Sequence, residues 1–127
     1  MAQTPFAPGL HLLLDLYGAT HLDAVAELEC VLRRAAERAG ATVIASHFKH
    51  FGGGGGVTGL VLLAESHISI HTWPEIGFAA VDIFMCGAAR PDLAWQEIEA
   101  ALKPTRTHLS RIERGTDHLN QASHPAL

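Results

Sequence analysis

Three strand-like runs follow one another in the middle of the chain, and they limit its fold more than any other feature. Residues 57–64 are almost all apolar, residues 67–71 alternate between polar and apolar side chains, and residues 78–85 are again mostly apolar. A period of two is typical of a strand, and a short continuous apolar run predicts a strand buried on both faces. The connections between the runs are short, which predicts hairpins within one antiparallel sheet.

Helical periodicity flanks the three runs on both sides. Apolar residues recur at three- and four-residue steps over residues 22–39, which indicates one face of a helix. Thr20 is predicted to cap the first turn of this helix, with Asp23 as its partner in a short capping box. A second helix is predicted to begin at Pro91 and to end before Pro104.

Further strand-like runs at 10–17 and 42–51, and a weaker one at 105–112 that is expected to be an edge strand, complete the order β-α-β-β-β-β-α-β. We therefore expect an α+β fold, a two-layer sandwich of an antiparallel sheet with two helices on one face. Helices on one face leave the other face of the sheet uncovered. A homodimer is expected to cover that face.

Length, charge and cysteine content narrow the function classes. The 127 residues fit a single domain, 1–127, with loose termini expected at 1–8 and 115–127. A net charge of −4 without a basic stripe argues against nucleic acid as a partner. No apolar run approaches the length of a membrane span, and no secretory signal is recognised, so no membrane partner is expected. Cys30 and Cys86 do not make a disulfide framework, which favours a cytoplasmic protein.

The densest polar segment is ESHISIHTWPE, residues 65–75. Its eleven residues include two carboxylates, two serines, two histidines and a tryptophan. It directly follows an apolar run, and a structural sheet rarely carries so many polar groups there because each buried one needs a partner. The segment is therefore predicted to be a functional site.

The residues alone leave two kinds of chemistry open for this segment. In the first, Ser66 or Ser69 is a hydrolase nucleophile with a histidine as base, although no G-x-S-x-G turn is present. In the second, His67 and His71 bind a metal ion, either with Cys86 or with His47 and His50 as further ligands. Histidines four residues apart in a strand lie about 13 Å from each other, so no metal site is expected.

Five consecutive glycines, residues 52–56, precede the first of the three central runs. They lack the Lys-Ser/Thr pair that follows the glycines of a P-loop, so a phosphate site is not predicted. We interpret the run as a mobile loop over a site. His47 and His50 lie just before it and are interpreted as solvated side chains, with contact to a substrate as the alternative.

The segments AESHISIHTWPE and FAAVDIFMCG resemble the signature of the prokaryotic S-adenosylmethionine decarboxylases, which are pyruvoyl-dependent enzymes of polyamine synthesis. The resemblance extends from GLHLLLDLYGA near the start to about Arg114, which is nearly the whole chain. A serine between glutamate and histidine, then HTWPE, then a cysteine before glycine is a specific combination.

The resemblance implies that the chain cuts itself between Glu65 and Ser66. The Ser66 hydroxyl attacks the Glu65 carbonyl, the amide becomes an ester, and β-elimination yields a β chain, 1–65, and an α chain, 66–127. The α chain then begins with a covalent pyruvoyl group derived from Ser66, which is the expected cofactor. Such a carbonyl forms a Schiff base with the substrate amine and withdraws electrons, as pyridoxal phosphate does.

The resemblance also implies a role for three further residues in this chemistry. His71 matches the histidine that takes the Ser66 α-proton during elimination. Thr58 lies where the family has a Ser or Thr whose hydroxyl supports processing. Cys86 matches the cysteine that protonates the product carbon.

The substrate pocket is implied in the same way. Phe51 matches an aromatic side chain against adenine, Glu75 matches a carboxylate on the ribose hydroxyls, and Trp73 lies beside them. The implied reaction converts S-adenosylmethionine to the aminopropyl donor for spermidine synthesis. Two alternatives stay open: a pyruvoyl-dependent decarboxylase of ornithine or arginine, and an unprocessed relative that binds a nucleoside without catalysis.

One geometric condition accompanies these roles. Five residues separate Ser66 from His71, and in a straight strand their side chains would point to opposite faces. We therefore expect a bulge or sharp turn between residues 65 and 71, or a change of direction at the cut.

Overall fold

The computed structural model describes residues 9–116. The strands are β1 (Gly9–Tyr17), β2 (Val43–His50), β3 (Val57–Leu63), β4 (Ser66–Trp73), β5 (Phe78–Met85) and β6 (Arg106–Arg114), and the helices are α1 (Val25–Arg38) and α2 (Pro91–Leu102). A single 3-10 turn, Pro74–Ile76, follows β4. The loose termini expected at 1–8 and 115–127 lie outside the described residues, except for residues 115–116. Within residues 9–116, neither helix is long and apolar enough to cross a membrane.

The six strands form one antiparallel sheet in the order β2-β3-β4-β5-β1-β6. Both helices pack on the same face, where α1 lies against β2 and β3 and α2 lies against β1 and β5. The predicted α+β sandwich is therefore confirmed, and β6 is an edge strand as its weaker pattern indicated. The second face of the sheet, which we call the open face, carries no helix among residues 9–116.

The core lies between the helices and the sheet. Every second residue of β1 is buried there, namely Leu12, Leu14 and Leu16, while His11 lies on the open face. On α2 the buried residues recur every four positions, at Ala94, Ile98 and Leu102. Each large apolar side chain buried in this way contributes roughly 1.5–3 kcal/mol, so this layer provides most of the stability.

β3 differs from its expected environment. Its continuous apolar run predicted burial on both faces, but Leu60 is 38% exposed and Leu62 is 44% exposed. Val61 and Leu63, which point toward the helices, are buried. The prediction was wrong because helices cover one face only, so the apolar residues of the open face remain accessible.

The predicted cap of the first helix is also wrong. α1 begins after Ala24 without a side-chain cap, because a turn intervenes between Thr20 and the helix. The Thr20 hydroxyl instead donates a hydrogen bond to the Leu102 carbonyl at 2.9 Å. Thr20 therefore connects the loop after β1 to the last residue of α2, a contact between residues far apart in the sequence.

Thr72 is the one polar residue that the fold buries among residues 9–116, at 6% exposure. Its hydroxyl donates to the Leu22 carbonyl at 2.6 Å and accepts a hydrogen bond from the Val57 N–H at 2.8 Å. A Cβ on Gly56 would lie 1.9 Å from the Thr72 carbonyl oxygen, so only glycine allows this approach. Thr72 therefore joins the start of β3, the segment before α1 and β4.

We expect Thr72→Val to destabilise the protein by about 1–3 kcal/mol, because the isosteric methyl leaves the buried Val57 N–H without its hydroxyl acceptor. Urea unfolding of both proteins measures this difference. Thr42→Val is the matched control: Thr42 is exposed, and its substitution should change stability by less than about 0.5 kcal/mol. Equal effects of the two substitutions would contradict the assigned role.

Candidate active site

The polar segment begins at the hairpin between β3 and β4. The Ala64 N–H donates to the Thr42 carbonyl at 2.9 Å, and the Thr42 N–H donates to Glu65 Oε1 at 2.9 Å. These two bonds hold the turn at residues 64–65, so the chain reverses direction immediately before Ser66. From Ser66 onward β4 pairs with both neighbours without a register shift. The bulge expected between residues 65 and 71 is therefore absent, and the change of direction at the expected cut is present.

Three residues around this turn form what we call the cleavage cluster: Glu65, Ser66 and Cys86. Ser66 has a backbone φ of +157°, in a region that residues with a side chain rarely adopt. The Cys86 thiol donates a hydrogen bond to the Glu65 carbonyl oxygen at 3.0 Å. Ser66 pairs with Met85, so the end of β5 brings Cys86 to this carbonyl. A donor at that oxygen polarises the carbonyl and favours attack on its carbon.

A second group lies at the other end of β4, and we call it the pocket cluster: Phe51, Thr58, His71, Trp73 and Glu75. These side chains line a cavity of about 280 Å³. Thr58 and His71 are directly opposite each other on β3 and β4, and Thr58 Oγ1 lies 3.1 Å from His71 Nδ1. Every member of this cluster was singled out in the sequence.

Aromatic side chains at the rim of the pocket are unusually exposed. Trp73 is 41% exposed and Phe51 is 64% exposed. The Trp73 ring lies 5.3 Å from the Phe78 ring, which is directly across the strand pair. Glu75 is in the 3-10 turn that follows, and this turn ends at Gly77 with a φ of +65°. An apolar surface beside a carboxylate can bind a flat ring that carries hydroxyl groups.

The two clusters do not meet within one chain. Ser66 and His71 are five residues apart on a regular strand, which corresponds to about 16 Å. Ile68 and Ile70 between them are buried against the helices, whereas His71 is exposed on the open face. The fold therefore brings Thr58 to His71 and Cys86 to Glu65, but it does not bring His71 to Ser66.

Two residues of the site had no signal in the sequence. Thr42 fixes the Glu65 side chain through its backbone N–H, a contact that depends on the pairing of β2 with β3. Phe78 supports Trp73 because the two are opposite in the β4–β5 register. The sequence predicted a strand at residues 78–85, but only the register identifies the partner of Phe78.

The described part of the chain contains no group of side chains arranged as a metal site. No three side chains from His, Cys, Asp and Glu lie close enough there to hold a metal ion. His67 contacts the Phe84 ring edge-on at 6.1 Å. His71 instead contacts Thr58.

Comparison with known proteins finds one family over most of the chain. The S-adenosylmethionine decarboxylase family matches residues 10–115. An S-adenosylmethionine decarboxylase proenzyme from Persephonella marina is 45% identical over 111 residues, 85% of this chain and 83% of that protein. A proenzyme of the same name from Aquifex aeolicus is 46% identical over 110 residues, 84% of this chain and 81% of that protein.

A solved structure is similar over the same region. The crystal structure of the adenosylmethionine decarboxylase from Aquifex aeolicus has a TM-score of 0.80 and 43% sequence identity, and the match covers 87% of this chain and 93% of that one. The sequence match and the structural match together show that this chain belongs to the S-adenosylmethionine decarboxylase family.

Proposed function

We propose that this protein is a pyruvoyl-dependent decarboxylase of S-adenosylmethionine and that it makes its own pyruvoyl group by cutting the Glu65–Ser66 bond. The observation that carries the proposal is the hydrogen bond from the Cys86 thiol to the Glu65 carbonyl, beside a serine with a strained backbone. Its product is the aminopropyl donor for spermidine synthesis. The protein works in the cytoplasm as a homodimer on a small molecule, without nucleic acid or membrane as a partner.

The cut uses groups that the chain already carries. The Ser66 hydroxyl oxygen attacks the Glu65 carbonyl carbon, the peptide C–N bond breaks, and the nitrogen takes the hydroxyl proton, which leaves an ester. Loss of the Ser66 α-proton then breaks the ester C–O bond and releases Glu65 as a carboxylate. The enamine left at residue 66 takes up water and releases ammonia, which yields a pyruvoyl terminus. The products are the chains 1–65 and 66–127, and no oxidant or reductant is required.

The residues around the cut fit a pyruvoyl group at position 66. Cys86 lies at the carbonyl that precedes Ser66, so its thiol stays beside the new terminus after Glu65 is released. The pairing of Ser66 with Met85 holds that terminus at the end of the sheet. Cys86 also lines a cavity of about 490 Å³ that leaves room for water and substrate. When formed, the pyruvoyl carbonyl supplies the electron sink for decarboxylation.

Cys86 has two successive roles under this proposal. Before the cut, its S–H stabilises the oxygen of Glu65 that becomes negative as the Ser66 hydroxyl attacks. After the cut, the same S–H donates a proton to the product carbon, a suitable role because thiols are mostly protonated at neutral pH. One side chain can have both roles because the Glu65 carbonyl and the new terminus at residue 66 lie on the two sides of the same bond, next to Cys86.

The pocket cluster supports a nucleoside substrate. Phe51 and Trp73 offer aromatic faces to adenine, and Glu75 offers a carboxylate to the ribose hydroxyls. A cationic sulfonium suits both the aromatic surface and a chain with a net charge of −4. The relatives reported above are named for S-adenosylmethionine, which favours this substrate over ornithine or arginine and favours an enzyme over a non-catalytic binding protein.

We further propose that the complete site is shared between two chains. His71 is about 16 Å from Ser66 along β4, too far to take its α-proton within one chain. The cavity of the pocket cluster, about 280 Å³, is small for a nucleoside with an amino-acid tail. Exposed Leu60 and Leu62 favour contact between the open faces of two chains. Two-fold symmetry would then supply Thr58 and His71 of the partner subunit to each cleavage cluster.

Ser66→Ala is expected to leave the chain uncut and inactive, because alanine has no hydroxyl to form the ester. Intact-mass spectrometry of the purified protein and CO₂ release from S-adenosylmethionine measure the two effects. The wild type should give two fragments, 1–65 and 66–127, the second lighter by one ammonia than a fragment starting with serine. Ser69→Ala, three residues along the same strand, should still be cut. A wild-type chain that stays uncut on incubation would contradict the proposal.

Cys86→Ala is expected to slow self-cleavage by about ten- to a hundredfold, because one donor to the developing oxyanion is lost. The rate is measured as the appearance of the 1–65 fragment after refolding. Cys30→Ala is the matched control, since Cys30 is an exposed thiol on α1. A cleavage rate that is equal in both variants would remove Cys86 from the processing step.

Co-expression of Ser66→Ala chains with His71→Ala chains tests the shared site. A mixed dimer has one site with both substitutions and one site with neither, so its His71→Ala chain should be cut. Activity should reach about a quarter of the wild-type value, because half the dimers are mixed and each has one intact site. Each variant expressed alone should be inactive. Mixed dimers without any cut chain would show that the site lies within one chain.

A further inference from the structure

The five-glycine loop has a backbone that only glycine adopts easily. Gly52, Gly53 and Gly54 have φ values of +79°, +54° and +76°. A Cβ on any of these three would meet nothing within 4 Å, so conformation rather than space requires glycine there. The Gly55 N–H donates to the Gly52 carbonyl at 2.7 Å, which closes the turn. The loop is therefore a formed left-handed turn in this structure.

His50 holds the start of this turn. Its Nδ1 accepts a hydrogen bond from the Gly52 N–H at 3.0 Å. A side-chain acceptor bonded to the N–H two residues later is the arrangement of an Asx turn, with imidazole in place of asparagine or aspartate. His50 is partly buried at the end of β2, opposite Val57. It was interpreted from the sequence as a solvated side chain, and this contact assigns it a local function.

Phe51 lies between the two residues that this hydrogen bond joins. Its own N–H donates to the Gly56 carbonyl at 3.0 Å, so both sides of its backbone are fixed. Its ring is nevertheless 64% exposed and borders the pocket with Glu75. The Phe51 backbone is held on both sides, and little of its ring packs against the protein itself. The ring is therefore presented to a ligand.

We propose that His50 is a positioning residue which, with the left-handed glycine turn, presents Phe51 to the flat base of a nucleoside substrate. This inference rests on the proposed function and adds a specificity element to its pocket. Phe51 belongs to the pocket cluster at the far end of β4 from Ser66 and Cys86. His50 forms its hydrogen bond with the Gly52 N–H and not with Ser66, His71 or Cys86, so we expect it to act on substrate binding and to leave self-cleavage and the chemical step unchanged.

The first test compares His50→Leu with His50→Asn in the cut, purified enzyme. His50→Leu removes the acceptor and should raise the KM for S-adenosylmethionine about three- to tenfold, the range expected for a weakened aromatic contact. The kcat and the extent of self-cleavage should stay at wild-type values. His50→Asn keeps an acceptor for the Gly52 N–H and should restore the wild-type KM.

The second test separates positioning from general stability. Gly53→Ala and Gly40→Ala both place a Cβ on a residue with positive φ, +54° and +78°, and in both cases the Cβ meets nothing within 4 Å. Both should lower the melting temperature to a similar extent, but only Gly53→Ala should raise KM, because Gly40 follows α1 away from the pocket.

The outcomes distinguish this inference from the proposed function. A wild-type enzyme that is cut and active, with an unchanged KM in His50→Leu and Gly53→Ala, would overturn the inference alone. An equal rise in KM in Gly40→Ala would do the same, because the effect would then be one of stability. A wild-type chain that neither cuts itself nor releases CO₂ would overturn the proposed function and this inference with it.

Discussion

The alternation of side chains along β4 is the constraint on which the rest of the structure depends. Ile68, Ile70 and Thr72 point to the helices and are buried, whereas His71 and Trp73 lie on the open face. Successive side chains of a strand point to opposite faces of the sheet, so one side chain cannot contribute to both the core and the open face. The same pattern that builds the core therefore separates the cleavage cluster from the pocket cluster, and any function that uses both needs a second source of side chains.

The open face carries apolar side chains that a single chain leaves exposed to solvent. Leu60, Leu62, Trp73 and Ile112 are each more than one-third exposed there. His11 Nε2 is buried on this face without a hydrogen bond, 3.8 Å from Asp82 Oδ2. Exposed leucines and an unpaired imidazole nitrogen are each unfavourable in a single chain. Contact with another surface would bury the exposed leucines, which fits the sharing of sites between two chains.

The sequence predicted the elements of the fold well and the contacts between them poorly. The order of strands and helices, and the bounds of β5, followed from local periodicity and from proline. Thr20 was misassigned because its partner, Leu102, lies 82 residues away and no local pattern encodes that contact. The environment of β3 was misjudged because an apolar run indicates buried neighbours without stating whether they belong to the same chain.

For the site too, the sequence predicted the residues well and the contacts between them poorly. Resemblance to a family selected Ser66, His71 and Cys86, but it gave no distances between them. The hydrogen bond from Cys86 to Glu65 depends on the register of β4 with β5, which pairs Ser66 with Met85. The role of His50 depends on the φ values of three glycines, and consecutive glycines in a sequence do not determine which region each one adopts.

The position of the proposed cut reconciles self-cleavage with a stable fold. The bond joins a two-residue turn to the first residue of β4 at the end of the sheet, so breaking it removes a covalent connection and leaves the pairs between β3 and β4 from Leu62–His67 to Thr58–His71. The Glu65 carboxylate stays hydrogen-bonded to the Thr42 N–H, which holds the new chain end in place. A cut within either strand would instead break the ladder that positions both clusters, so the turn is the place where this sheet can be opened and remain intact.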